Sequence, residues 1–342
     1  MVIENTSETD NILEVKELRK YFPVKSGFFR RLVGELKAVD DVNFELRRGE
    51  TLALVGESGC GKTTTARCIV KAVTPTSGSI KYKGHSGEIV DTTELKGEPL
   101  RTLRRNIQMI FQDPFSSLNP RMNVFDIVSE PLTTFRIGDR ADREQRVIEL
   151  LSRVGLRPEF MRRFPHAFSG GQRQRIGIAR ALAVNPEVVI ADEPVSALDV
   201  SVQAQILNLM SDLQEELSLT YLFVSHDLSV VKIFSNRVAV MYVGKIVEIS
   251  DTEELFSNPK HPYTEALLYS VPKTDPRLRT EWEPLAGEVA NPLDPPSGCY
   301  FHPRCPYATD ICREQSPPLK ETSPGHWTSC HRSEEVELQG VG

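Results

Sequence analysis

No apolar run in this 342-residue chain approaches the roughly 18 to 20 residues that a membrane-spanning helix needs, the longest being short blocks such as Val188-Val189-Ile190-Ala191. The sequence therefore predicts a chain that does not itself cross a bilayer. Residues 1–12 are polar and acidic and lack the basic start and apolar centre of a secretion signal, which points to the cytoplasm. A positive excess is missing too: 41 Lys and Arg against 47 Asp and Glu leave a net charge of −6, so there is no overall basic footprint for nucleic acid. Internal repeats and low-complexity tracts are absent. With 39% apolar and 26% charged residues, the disordered, collagenous and disulfide-scaffold classes are excluded, and the length suggests about two domains.

Proline use divides what is present. Eleven of the 23 prolines lie between Pro272 and Pro324, so a boundary is expected near residues 260–280, with a main domain over 1–260 and an extension over 261–342. Upstream, short β-like runs at 51–55, 188–191 and 221–225 alternate with helical patterns such as 200–217. That alternation predicts an α/β domain with a mainly parallel sheet. Between Gln112 and Phe168 strand signals vanish, and Val147, Ile148, Leu150, Leu151 and Val154 recur at helical spacing, which predicts a helical insertion over about 113–168. Beyond Val271 the chain is turns, prolines and four cysteines, with too few periodic apolar faces to build a core alone.

Two motifs speak of phosphate chemistry. Gly56-Glu57-Ser58-Gly59-Cys60-Gly61-Lys62-Thr63 fits the Walker A pattern GxxxxGK[ST] between an apolar strand and a helix that opens at Thr64. Glycines let backbone N–H groups turn towards phosphate oxygens, Lys62 supplies a cation for the β- and γ-phosphates, and Thr63 can ligate Mg²⁺. The run 188–191 ends in Asp192-Glu193, which suits a Walker B element: Asp192 on the Mg²⁺ side and Glu193 as the base that orients the attacking water. A third motif, Ser169-Gly170-Gly171-Gln172, opens a helix with a hydroxyl and free N–H groups, and so makes a second anion site.

With this third motif 23 residues before Asp192, the chain resembles the ATP-binding subunits of ABC transporters. The resemblance implies a P-loop NTPase fold: a mainly parallel sheet core with an antiparallel β part and a helical subdomain, followed by a small proline- and cysteine-rich extension. It implies that Ser169–Gln172 act on ATP held by another subunit, so that two nucleotides lie in a head-to-tail dimer. It makes Gln112 the Q-loop residue sensing Mg²⁺, Asp199 part of the subunit-facing D-loop and His226 the switch at the γ-phosphate. Phe22, or Tyr21 one position earlier, aligns with the adenine-stacking aromatic. All elements of a hydrolysing site are present, so ATPase activity is expected.

Three passages are similar to the dipeptide and oligopeptide importer branch, which includes nickel importers: Leu118-Asn119-Pro120-Arg121, residues 195–201 and residues 258–268. The likeness runs from about Leu13 to Cys330. It implies a partner ATPase (a sister chain in a heterodimer, or a second copy), two membrane permeases, an extracytoplasmic substrate-binding protein and a place on the cytoplasmic face of the membrane. Other ABC importers, for nickel or sugar, and soluble ABC ATPases are the alternatives.

Cys299, Cys305, Cys312 and Cys330 follow the spacing C-x₅-C-x₆-C-x₁₇-C, which suits a metal site but matches neither the usual zinc pairs nor the ferredoxin run. The segment 298–306 looks like the extension of peptide-importer ATPases, which in that family can hold a [4Fe–4S] cluster. The four cysteines are then its ligands, with zinc as the alternative and His302, His326 or His331 as substitute ligands. Cys60 and Cys68 read as small packing residues, with Cys60 expected to be the thiol most open to alkylation when nucleotide is absent.

Overall fold

The computed structural model describes residues 10–26, 31–85, 87–113, 115–270 and 287–341. The expected boundary at 260–280 therefore lies partly outside the described residues, as does most of the N-terminal stretch 1–12. The strands are β1 (Asn11–Ser26), β2 (Arg31–Arg47), β3 (Thr51–Val55), β4 (Ser77–Lys83), β5 (Ile89–Asp91), β6 (Ile107–Ile110), β7 (Val188–Asp192), β8 (Thr220–Ser225), β9 (Arg237–Tyr242), β10 (Lys245–Asp251), β11 (Lys320–Ser323) and β12 (His326–Thr328). The helices are α1 (Lys62–Ile69), α2 (Gly97–Asn106), α3 (Val124–Thr134), α4 (Arg140–Arg153), α5 (Gly170–Leu182), α6 (Val200–Leu217), α7 (Leu228–Phe234), α8 (Thr252–Ser257), α9 (Pro262–Tyr269) and α10 (Asp310–Glu314).

The strands form two sheets. An eight-stranded sheet runs in the order β11-β12-β10-β9-β3-β8-β7-β6, parallel from β9 to β6 and antiparallel at its other end. Its central strands read as unbroken apolar runs because both faces are covered. Alternate side chains enter two separate cores, as the two-residue period of a strand requires. Ala53, Val55, Val189, Ala191, Tyr221 and Phe223 face the core that includes residues of α3 to α6. Leu52, Leu54, Val188, Ile190, Leu222 and Val224 face the other, shared with α1 and the antiparallel four-stranded sheet β2-β1-β4-β5. The long β1–β2 hairpin carries no clean alternation in sequence because its register shifts several times, with Glu17 and Asp41 at positive φ (48° and 64°).

In the stretch read as helical, α4 starts from a reciprocal cap in which the Asp139 side chain takes the N–H groups of Ala141 and Asp142 while Asp142 returns a bond to the Asp139 N–H. Val147, Leu150, Leu151 and Val154 are fully buried beneath it.

The proline-rich tail builds no core of its own; it borrows one. β12 pairs with β10 (Glu248↔Thr328, Ile249↔Trp327) and extends the main sheet. Phe301 is buried edge-on to Tyr242 at 5.3 Å and against Tyr263 at 5.5 Å. The fastening is Glu248, fully buried in β10, whose oxygens accept the N–H groups of Lys260 (2.6 Å) and His261 (3.0 Å) and lie 2.6 Å from His326 Nε2. Three elements thus share one carboxylate. Replacing Glu248 with Ala orphans all three groups, two of them buried, and is expected to lower unfolding free energy by about 3–5 kcal/mol, read by urea melts. Glu248→Gln, which keeps an acceptor, is expected to lose less.

Candidate active site

The phosphate loop, Gln112, Asp192, Glu193 and His226 stand at the carboxyl ends of adjacent parallel strands, where an open α/β sheet leaves room for a ligand. After β3 the chain turns through the loop 56–61 into α1. Gly56 (φ 148°) and Gly61 (φ 113°) are required there, since a Cβ would lie 2.1 Å from the Met241 carbonyl oxygen or 2.2 Å from that of Ala38. Ser58 and Gly59 are exposed at the loop tip, and Thr64 is half-buried in the first turn of α1. The buried Lys62 ammonium donates to the carbonyls of Gly56 (2.7 Å) and Glu57 (3.0 Å), which hold it against the loop.

Thr63 Oγ1 donates to Asp192 Oδ1 at 2.9 Å, joining this loop to the end of β7. Burial pushes the Asp192 carboxyl above its ordinary pKa, against the lowering effect of the Thr63 bond. A hydroxyl and a carboxylate side by side are the hard oxygen donors that Mg²⁺ takes, so these residues fit that ion.

One residue further, Glu193 sits in the left-handed region (φ 47°) with its N–H bound to Val224 O at 2.9 Å. The turn brings its carboxylate to two neighbours: Gln112 Nε2, after β6, donates to Glu193 Oε2 at 2.8 Å, and His226 Nδ1, after β8, lies 3.1 Å from the same oxygen. A strained backbone at a carboxylate held from both sides is a feature of sites that pre-position a base.

Ser169 and Gln172 form a reciprocal cap on α5: the serine hydroxyl accepts the Gln172 N–H (3.3 Å) and the Gln172 side chain accepts the Ser169 N–H (3.1 Å). Gly170 and Gly171 allow this turn to lie against the segment that carries Asp199. A Cβ on Gly171 would stand 2.4 Å from Val202, and one on Gly170 3.3 Å from Leu198. Asp199 caps α6, accepting from Val202 N–H (3.0 Å) and Ser201 Oγ (2.7 Å); the Ser201 bond foremost holds its carboxyl below the usual range. The hydrogen bonds of Ser169 and Gln172 thus join each other rather than the loop 56–63.

Tyr21 and Phe22 are both half-buried on β1. Tyr21 donates its hydroxyl to Asp40 Oδ1 (2.5 Å), whereas Phe22 stacks under the Lys20 ammonium at 4.8 Å from the ring centre.

Cys299, Cys305, Cys312 and Cys330 line one small cavity with His261 and Phe301, as free thiols. Burial, with repulsion between neighbouring thiolates added, pushes Cys305 up to about 12 and Cys330 up to about 11. The geometry does not show the expected [4Fe–4S] or zinc site: among the described residues no group of three or more His, Cys, Asp or Glu side chains is placed to hold a metal ion. The histidines offered as substitutes have other partners: His326 on Glu248 (2.6 Å), His302 on the Cys299 carbonyl (3.0 Å) and His331 on that of Gln315 (2.9 Å).

Sequence reasoning also missed Arg304, which forks onto Glu57 of the loop through Nη1–Oε2 (3.0 Å) and Nη2–Oε1 (3.2 Å). No local signal pairs residues so far apart in the chain.

Comparison with known proteins bears on the family and the fold. The ABC transporter family model matches residues 39–196, and that of the oligopeptide/dipeptide transporter C-terminal region matches residues 247–312, stopping short of Cys330. The oligopeptide transport ATP-binding protein AppF of Bacillus subtilis is 56% identical over 94% of this chain and 97% of its own length. The dipeptide transport ATP-binding protein DppF of Haemophilus influenzae is 50% identical over 94% and 97%. Among solved structures, the dimeric post-hydrolysis ATP-binding cassette MJ0796 bound to ADP and Pi aligns with TM-score 0.61 and 30% identity, covering 70% of this chain and 98% of that one. CbiO1 of Clostridium perfringens, part of the ABC transporter complex cbiONQ, aligns with TM-score 0.60 and 28% identity over 72% and 91%.

One expectation about reactivity is overturned. Cys60 is not an open thiol: it is only 4% exposed, tucked beneath Gly56, and burial pushes its pKa up. Iodoacetamide mapping of the nucleotide-free protein is expected to modify Cys60 at least about tenfold more slowly than an unfolded control, and to leave the fully buried Cys68 equally protected.

Proposed function

The chain belongs to the ATP-binding proteins of oligopeptide and dipeptide ABC transporters, and from that membership we propose that its ATPase cycle drives import of peptides through a separate membrane permease. The observation that carries the catalytic part is the carboxylate of Glu193, held by Gln112 and His226 next to the Thr63–Asp192 pair. Lys62 and the N–H groups of loop 56–63 bind the triphosphate, and Phe22 or Tyr21 stacks on adenine. Thr63, Asp192 and Gln112 would hold Mg²⁺, which when bound would offset the charge building on the transferring phosphate. Glu193 accepts the proton of the attacking water; His226 fixes that carboxylate and contacts the γ-phosphate.

Ser169–Gln172 and Asp199 act on the ATP of a partner cassette in a head-to-tail dimer. Support comes from the exposed, self-contained cap of Ser169 and from the dimeric state of the solved cassette MJ0796. The partner is a sister ATPase or a second copy. Two permease subunits receive the motion through the helical segment 113–168, and an extracytoplasmic binding protein delivers the peptide. No helix among the described residues is long and apolar enough to cross a membrane, which fits a subunit docked on the cytoplasmic face.

By type and number the four tail thiols fit a [4Fe–4S] cluster, with zinc as the alternative, and a shared cavity supports that reading. Such a group would staple the tail. Anaerobically purified protein is then expected to carry about four irons per chain, lost in Cys305→Ser; zinc, or no metal, rejects the cluster.

Glu193→Gln is expected to bind ATP normally while turnover falls at least about 100-fold, and to stop uptake of a labelled oligopeptide by the assembled transporter. Continued phosphate release by this variant refutes the role of Glu193. Normal ATPase activity in the wild-type assembly without stimulation by any peptide refutes the substrate class.

A further inference from the structure

The segment between the first two tail cysteines contacts the phosphate loop directly through Arg304 and reaches nucleotide-binding elements at two further points, through Asp40 and Tyr263. Tyr300 donates its hydroxyl to Asp40 Oδ2 (2.7 Å), the carboxylate that also takes the Tyr21 hydroxyl. Phe301 packs on Tyr263, whose phenolic oxygen accepts the backbone N–H of Glu57 at 2.9 Å. Arg304, with its side chain 9% exposed, forks onto the Glu57 carboxylate, which is 27% exposed.

Glu57 is the second residue of the phosphate loop, and its carbonyl is one of the two that hold Lys62. The loop thus carries a carboxylate into a region that must receive a polyphosphate anion. Left alone, that charge opposes binding and is free to compete for Lys62. Paired with a guanidinium it is neutralised, and its side chain is drawn to the tail.

We infer that Arg304 is a positioning residue of the ATP site, which sets nucleotide affinity by neutralising Glu57 and so makes the C-terminal extension part of the phosphate-binding apparatus. This rests on the ATP-binding reading of loop 56–63. It adds that the extension acts on substrate binding, not only on subunit structure, and that it does so by charge.

The test uses the full-length protein, with Mg-ATP affinity from calorimetry, steady-state kcat and KM, and the thermal midpoint without nucleotide. Arg304→Ala is expected to weaken ATP binding about tenfold and raise KM alike, with kcat within about twofold of wild type. The double variant Arg304→Ala/Glu57→Gln is expected to recover affinity to within about twofold, because the charge that Arg304 balanced is gone. Raising salt is expected to shrink the defect of the single variant. An unchanged affinity in Arg304→Ala overturns the inference. So does a double variant that binds as weakly as the single one, since that pattern marks a structural staple. A wild-type protein that neither binds nor hydrolyses ATP instead rejects the underlying site reading.

Discussion

The register of four parallel strands is the constraint on which the site depends. Val55 lies opposite Ser225, Asp192 opposite Val224 and Ala191 opposite Ile110, so β3, β8, β7 and β6 end together. The residues that follow them, the phosphate loop, His226, Glu193 and Gln112, then meet without any long connecting loop. A slip of one residue in any pairing would turn the buried faces over as well as misplace the candidate site residue at the strand end, because side chains alternate between two cores. Packing and the candidate site are therefore held by the same hydrogen-bond ladder. The helical segment and the antiparallel sheet add the covers that keep both faces of that ladder dry.

The tail is tied into this frame by polar contacts in an otherwise apolar setting. Glu248 collects two backbone N–H groups and His326, while the ring cluster of Tyr242, Tyr263 and Phe301 fills the space between tail and phosphate loop. A segment with few periodic apolar residues is ordered in this way because it contributes single anchors to a core that already exists. The four cysteines share a cavity, although among the described residues no group of three or more His, Cys, Asp or Glu is placed to hold a metal ion. Deprotonation and an ion would have to come together.

One point of backbone strain lies at the candidate site. Glu193 holds a left-handed conformation that a glycine would adopt more cheaply, and the strand end beneath it is buried throughout. The rigidity of β7 supplies what the turn costs. Gln112 and His226 then meet a carboxylate whose direction is already set.

The sequence by itself determined the phosphate loop, the paired carboxylates, the capped signature helix and the bounds of α6, because each is local: a spacing of glycines, a strand ending in acids, a cap followed by an apolar stripe. It also showed the order of these motifs and hence the family. Only the tertiary structure decided that Cys60 is buried, that the bulged β1–β2 hairpin covers one face of the sheet, and that Arg304 meets Glu57 across 247 residues of chain. Those facts depend on which distant segments share a core or a charge. Neither residue type nor spacing carries that information, since an arginine in a turn looks the same whether it faces water or a phosphate loop.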